Sequence, residues 1–481
     1  MRNSLRSSLV AFICALLFIF TASASSIPQP TLSPDAAKYD AEHPEFLEPD
    51  QLYAASAILM TQDTGEVIFE KEANSIRYPA STTKILTVLL GITLVDDLNQ
   101  IVTVSETALN IPGDSSVMGL KAGEEIPFID VLYGTMMLSG NDGANVIAEV
   151  VSGNIYDFVQ LMNRAAEAYG CQNTHFANAH GYHDDNHYST AYDLALIARE
   201  AMKNKTFREI ASCTSYTIAK TNMQRTRTIT TKSEYMLKGT DEKPNKYYYQ
   251  FANGIKTGSH SMAGYCFVGS AEKDDVQLIS VVLFTGENAR WADTIKLMNY
   301  GFSQYMSLTP AEIYAMNPIT IETSGYSTAD TNRGRIQLVC RNSGTSEVRI
   351  TATRNEIERI ADNIRDYMLI QYTRDFSAPF TVGETVGTLT YFPPNQEPVS
   401  YDLTASRSVA ARENAPRTLA QIVADTENDP NPLPPFSFEI ALNLFGPLLL
   451  IFLLIVVLRR LHRNHKSKKP RTPRTVNRYL K

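Results

Sequence analysis

Apolar and polar positions along the chain sort into segments of different period. Residues 54–60 and 66–69 are short, partly alternating apolar runs joined by Asp63-Thr-Gly65, which predicts a β-hairpin. Ile85, Leu86, Val88, Leu89, Leu90, Ile92, Leu94 and Val95 are apolar nearly all round a helix, the pattern of a helix buried in a core. Residues 100–123 are turn-rich and short on pattern. Residues 128–138 predict a second helix, Ser139-Gly-Asn-Asp142 a tight connection with exposed side chains, and residues 144–151 the start of a third helix. Residues 158–169 form a further amphipathic helix, and Thr190-Ala-Tyr-Asp193 has capping-box spacing ahead of residues 194–202. Strand-like runs return at 264–271 and 276–285, led in by 254–258, and residues 291–305 predict a closing helix. Strands at both ends with helices between them predict an α/β fold, an antiparallel sheet sandwiched by helices, over residues 51–306.

The pattern then changes. Short β-rich runs at 318–322, 335–340, 348–352 and 386–392 predict a small C-terminal β-rich domain over 312–404, followed by a proline-stiffened linker, 405–437. At the other end, residues 9–20 are apolar after a basic start and precede Ala22-Ser-Ala24, so 1–24 reads as a signal peptide and 25–50 as a lead segment. Residues 440–458 carry no charge and are long enough to cross a bilayer, which predicts a C-terminal transmembrane helix over 438–458. The tail 459–481, with ten Lys and Arg and no acid, then lies in the cytoplasm and the body outside.

Charge sharpens this division. Setting aside those ten cations with Arg2 and Arg6, the net −7 of the 481-residue chain becomes −19 for residues 25–458, which argues against nucleic acid as a partner. Cys171, Cys213, Cys266 and Cys340 show no metal-ligand or paired spacing, and no disulfide is assigned.

Candidate chemistry comes from three short motifs in one order: Ser81-Thr-Thr-Lys84, Ser139-Gly-Asn141 and Lys256-Thr-Gly258. Ser81 and Lys84, three apart, share one helix face, so a hydroxyl lies beside an amine that burial makes easier to deprotonate. Alone, Ser81 reads more readily as a helix cap and Lys84 as a solvated side chain. The set, with the first motif on a buried helix, the second between helices and the third on a strand, is specific. With Tyr78-Pro-Ala-Ser-Thr-Thr-Lys84, Leu138-Ser-Gly-Asn-Asp142, His187-Tyr-Ser-Thr-Ala-Tyr-Asp-Leu194 and Asn253-Gly-Ile-Lys-Thr-Gly258, the chain resembles the D-alanyl-D-alanine carboxypeptidases of the low-molecular-mass penicillin-binding proteins. The departures are Gly143 where Ala is usual, Ala179 in place of Pro, and a spanning helix where the family commonly has an amphipathic anchor.

The resemblance implies a β-lactamase/transpeptidase-like fold and a serine D,D-carboxypeptidase that removes the terminal D-alanine from peptidoglycan pentapeptides, is acylated by β-lactams and needs no cofactor. It implies Ser81 as nucleophile, Lys84 as base and Ser139 as proton relay. It further implies Asn141, Lys256, Thr257, Gly258 and Ser259 as substrate-binding residues, with the Ser81 and Ser259 N–H groups as oxyanion hole. Expected partners are stem peptides ending in D-Ala-D-Ala, β-lactams and the bacterial cell membrane, spanned once with the catalytic domain outside. The alternatives are a β-lactamase, disfavoured by Gly140 where class A enzymes have Asp, and a non-catalytic β-lactam-sensing or wall-binding receptor. A D,D-endopeptidase side activity would use the same residues. His175, His180, His183 and His187 with Asp184 and Asp185 crowd one short stretch, but without HExxH spacing, and no metal is assigned.

Overall fold

The computed structural model describes residues 39–342, 348–394, 396–413, 419–420, 423 and 450–460. β1 (Ser56–Thr61) and β2 (Val67–Lys71) form the expected hairpin. A 3₁₀ turn, Ala80–Thr83, feeds α1 (Lys84–Leu94), buried from Lys84 to Ile92. β3 (Ile101–Thr103) pairs with β4 (Glu125–Pro127), and α2 (Phe128–Met137), α3 (Asn141–Ser152) and α4 (Ile155–Ala168) follow. Next come α5 (Ala191–Lys203), α6 (Lys205–Ser212) and a hairpin of β5 (Ser215–Ile218) and β6 (Arg227–Thr230). β7 (Ala252–His260), β8 (Gly264–Lys273), β9 (Val276–Thr285) and α7 (Ala289–Gln304) come after these.

The main sheet is antiparallel, in the order β2-β1-β9-β8-β7, so the first strands of the chain pair with the last. Strand parity divides the apolar residues between two faces. Ile58, Met60, Ile279, Val281 and Leu283 join one core with residues of α1, α2, α3 and α5. Ala57, Leu59, Leu278 and Val282 join the other with Trp291, Leu297 and Met298 of α7. Both faces are covered, so β1 and β9 are nearly continuous apolar runs, each fully buried large side chain contributing about 1.5–3 kcal/mol. Packing begins ahead of Tyr53, because Leu47 is already part of the second core.

Local chemistry refines several expectations. Thr190 caps α5 by accepting from the Asp193 N–H, but the Asp193 carboxylate turns away to take the N–H groups of Gln172 and Asn173 and the Thr174 hydroxyl. Half of the capping box therefore anchors a loop instead. The pattern-poor stretch 100–123 contains β3, and α6 and the β5–β6 hairpin are further elements too short for periodicity to reveal.

Cα proximity groups the described residues into two compact units: one running to Ile321 with Gln337–Asp375 and Val382–Arg407, and one of Glu322–Ile336, Phe376–Thr381 and the described residues from Ser408. After α7 come β10 (Tyr305–Leu308), α8 (Pro310–Met316), β11 (Thr320–Glu322), β12 (Arg335–Asn342), β13 (Ile350–Thr353), α9 (Arg354–Asp362), α10 (Ile364–Tyr367), β14 (Leu369–Tyr372), β15 (Thr385–Tyr391) and β16 (Val399–Ala405). β10 pairs with β13, and a second sheet runs β11-β12-β16-β15-β14. The expected β-rich segment thus also holds helices, α9 burying Ile357, Ile360 and Ala361. In the second unit Thr323 bonds Gly334 and Phe380 bridges Val409.

The expected signal peptide, the lead segment up to residue 38, most of the linker and the tail beyond residue 460 lie outside the described residues, as does the expected span up to residue 449. Residues 450–460 are helical, and among the described residues no helix is long and apolar enough to cross a membrane.

Candidate active site

Ser81 lies not in the first turn of an α-helix but in the 3₁₀ turn ahead of α1, where residues three apart eclipse one another. The Thr82 and Thr83 hydroxyls fold back onto the carbonyls of Pro79 and Ala80, at 2.7 and 2.8 Å, and stiffen the turn. Ala80 has φ +48°, a left-handed conformation that costs a non-glycine residue about 1–2 kcal/mol. Ser81 is partly exposed, within reach of a ligand, while Lys84 is fully buried.

Lys84 Nζ has three neighbours: Ser81 Oγ at 2.9 Å, Asn141 Oδ1 at 2.7 Å and the His180 carbonyl at 2.7 Å. The last two can only accept. A neutral amine donating to both has its lone pair left for Ser81. Burial pushes the Lys84 pKa well down, and the charges of Lys256 and then Lys232 push it further. The neutral form is the one this pocket favours.

Ser139, Gly140 and Asn141 are not an exposed connection. Ser139 and Asn141 are 5 % and 4 % exposed, because residues 116–120 fold over them. α3 begins at Asn141, three residues earlier than the pattern suggests, and Ser139 has φ +62°. Asp142 holds the covering loop through the N–H groups of Met118, Gly119 and Leu120, at 2.9, 2.9 and 3.1 Å, and the Asn141 N–H donates to the Ser116 carbonyl. The second motif therefore meets the first through the Asn141–Lys84 bond.

The third motif lies on β7. Gly258 packs against the serine turn: a Cβ there would stand 2.9 Å from the Pro79 carbonyl and 3.1 Å from the Ser81 and Thr82 nitrogens. Glycine keeps the space before the Ser81 N–H open. Thr257 is half-buried, Ser259 exposed, and the buried Lys256 ammonium donates to the Thr257 carbonyl at 3.1 Å. Burial, then Lys232 and Arg290, lower the Lys256 pKa to about 7.

Lys232 and Arg290 belong to no motif and escaped sequence reading. The histidine-rich stretch also has a role. His180 and Ala179 offer carbonyls to Lys84 and to Thr87, and the His187 ring meets Thr83 at 2.8 Å. Ring nitrogens of His175, His180 and His187 are engaged by Asn186, Tyr182 and Ala177. Among the described residues no cluster of three or more His, Cys, Asp or Glu could hold a metal ion, and Cys171, Cys213, Cys266 and Cys340 are free thiols.

A partly exposed serine hydroxyl held by a buried, neutral-favouring amine on an α/β sandwich defines a serine acyl-transfer hydrolase. Residues 42–286 match the D-alanyl-D-alanine carboxypeptidase family. D-alanyl-D-alanine carboxypeptidase DacF of Bacillus subtilis (strain 168) is 33% identical over 288 residues, 57% of this chain and 68% of that protein. DacA of Escherichia coli (strain K12) is 28% identical over 406 residues, 80% of this chain and 87% of that protein. Among solved structures, the Streptomyces K15 DD-transpeptidase is similar with a TM-score of 0.48 and 30% identity, over 58% of this chain and 100% of that one. The chain belongs to the D-alanyl-D-alanine carboxypeptidase family and is a serine-type peptidase.

Proposed function

We propose that this carboxypeptidase releases the terminal D-alanine of peptidoglycan stem peptides through an acyl-enzyme on Ser81. Lys84, donating its two hydrogens to Asn141 and His180, takes the Ser81 proton as the hydroxyl attacks the penultimate carbonyl. The N–H groups of Ser81 and Ser259 receive the oxyanion, and Ser139 passes a proton to the departing amine. Asn141 Nδ2 holds the peptide amide, while Lys256 and Thr257 grip the substrate carboxylate. Water then attacks the acyl-enzyme through the same base. β-Lactams acylate Ser81 by the same route.

The observation that carries this reading is the 2.9 Å Ser81–Lys84 contact on an amine whose other neighbours are both acceptors. Ser81→Ala abolishes labelling by a fluorescent penicillin and D-alanine release from a pentapeptide, and persistent labelling would reject the nucleophile. A β-lactamase reading is less well supported. A Cβ at position 140 would stand 2.8 Å from Asp142 Oδ1, so this loop is built on Gly140.

For placement, the reading is a domain outside a bacterial cell membrane. Residues 1–24 would direct export, 438–458 span the bilayer once, and the basic tail 459–481 stay inside. Residues 51–306 form the catalytic domain and 312–404 the β-rich domain. Alkaline extraction and protease protection of the full chain in membranes test this arrangement.

A further inference from the structure

Three elements of the site converge on a cluster of rings that the mechanism does not use. Tyr78 leads into the serine turn, His183 sits in the stretch whose His180 carbonyl holds Lys84, and His260 ends β7 beside Ser259. Ring centroids are 4.8 Å apart for Tyr78 and His183, edge to face, 5.2 Å for His183 and His260, and 6.1 Å for Tyr78 and His260.

His260 also governs the turn between β7 and β8. Its Nδ1 accepts the N–H groups of Met262 and Ala263, at 3.2 and 3.1 Å, and its carbonyl accepts from Ala263. A ring nitrogen that accepts carries no proton, so this imidazole is neutral with its hydrogen on Nε2. Burial and then His183 hold its pKa down at about 4, which keeps it so. The ladder ends here, with Ser259 opposite Tyr265 and His260 opposite Gly264. Ends of ladders fray unless tied down.

We propose that His260 is a positioning residue for acylation: by accepting the Met262 and Ala263 amides while packing on Tyr78 and His183, it holds the Ser259 N–H in register with the serine turn. This rests on the reading of that N–H as an oxyanion donor. Nothing in the three-motif set requires a histidine at this position.

Two substitutions separate the acceptor from the ring. His260→Phe keeps a ring without the acceptor, and His260→Asn places an amide oxygen near Nδ1 without the ring. In the full-length protein, stopped-flow acylation by a fluorescent penicillin gives the limiting rate constant and the binding constant separately. Loss of one oxyanion donor costs about 10²–10³-fold, so a misplaced one in His260→Phe is expected to cost about tenfold in the limiting rate with binding unchanged. Affinity for a peptide boronate, which mimics the tetrahedral adduct, falls by the same factor. His260→Asn returns the rate to within about threefold of wild type. Wild-type acylation by His260→Phe, an Asn variant as slow as Phe, or a loss confined to melting temperature would overturn the proposal. Failure of the wild-type protein itself to label at Ser81 would instead reject the underlying mechanism.

Discussion

Replacing Asn141 by Asp tests the electrostatics of the base directly. Asn141 Oδ1 is 2.7 Å from Lys84 Nζ, and the substitution exchanges a neutral acceptor for an anion of nearly the same shape. Two unit charges at that distance attract by about 6 kcal/mol at an effective dielectric constant of about 20. Burying the new carboxylate offsets about half of this in the usual balance of such pairs, leaving about 3 kcal/mol, or about 2 pKa units in favour of the ammonium. Lys84 must be neutral to accept a proton, and a raised pKa extends its charged form to higher pH. The acidic limb of the acylation profile therefore moves up by about 2 units, and below the new limb each further pH unit costs about tenfold in rate. The assay is penicillin acylation from pH 4 to 10, with Asn141→Ala as the variant that loses the acceptor without adding charge. An Asp variant whose acidic limb stays at the wild-type position would refute the assignment of Lys84 as base.

Two further predictions follow from the surroundings. Lys256, with a pKa near 7, is cationic below that value and neutral above it, so second-order acylation by an anionic penicillin declines as pH rises through about 7. Lys256→Arg, charged throughout, removes that limb, and an unchanged profile would contradict the role of the cation. Gly181 has φ +83°, and a Cβ there would stand 1.8 Å from the Ala80 carbonyl, whereas Gly153 has φ +77° with open space around its Cβ position. Gly153→Ala is expected to cost about 1–2 kcal/mol in thermal or urea unfolding and to keep labelling, while Gly181→Ala costs more and loses labelling. Equal behaviour of the two would remove the steric argument.

How much could be read beforehand depended on the range of the interaction concerned. α1 was legible because its apolar residues surround the helix, and the Ser81–Lys84 pairing because an i, i+3 spacing is local even in a 3₁₀ turn. Burial of Ser139 and Asn141 was not, since it depends on residues 116–120 and on Asp142 carboxylate bonds formed more than 20 residues away in the chain. The His180 carbonyl was invisible for a different reason: every residue has one, so no residue type signals it.

By itself, then, the sequence determined the pairing of Ser81 with Lys84, the three motifs and the division of apolar runs into strands and helices, all properties of residues near one another in the chain. Only the tertiary structure decided which acceptors surround Lys84, which cations press on it, and that Gly258 rather than a side chain faces the Ser81 N–H. The reason is physical. Hydrophobic period is a local signal, whereas desolvation and Coulomb interaction act through space between residues the chain separates widely.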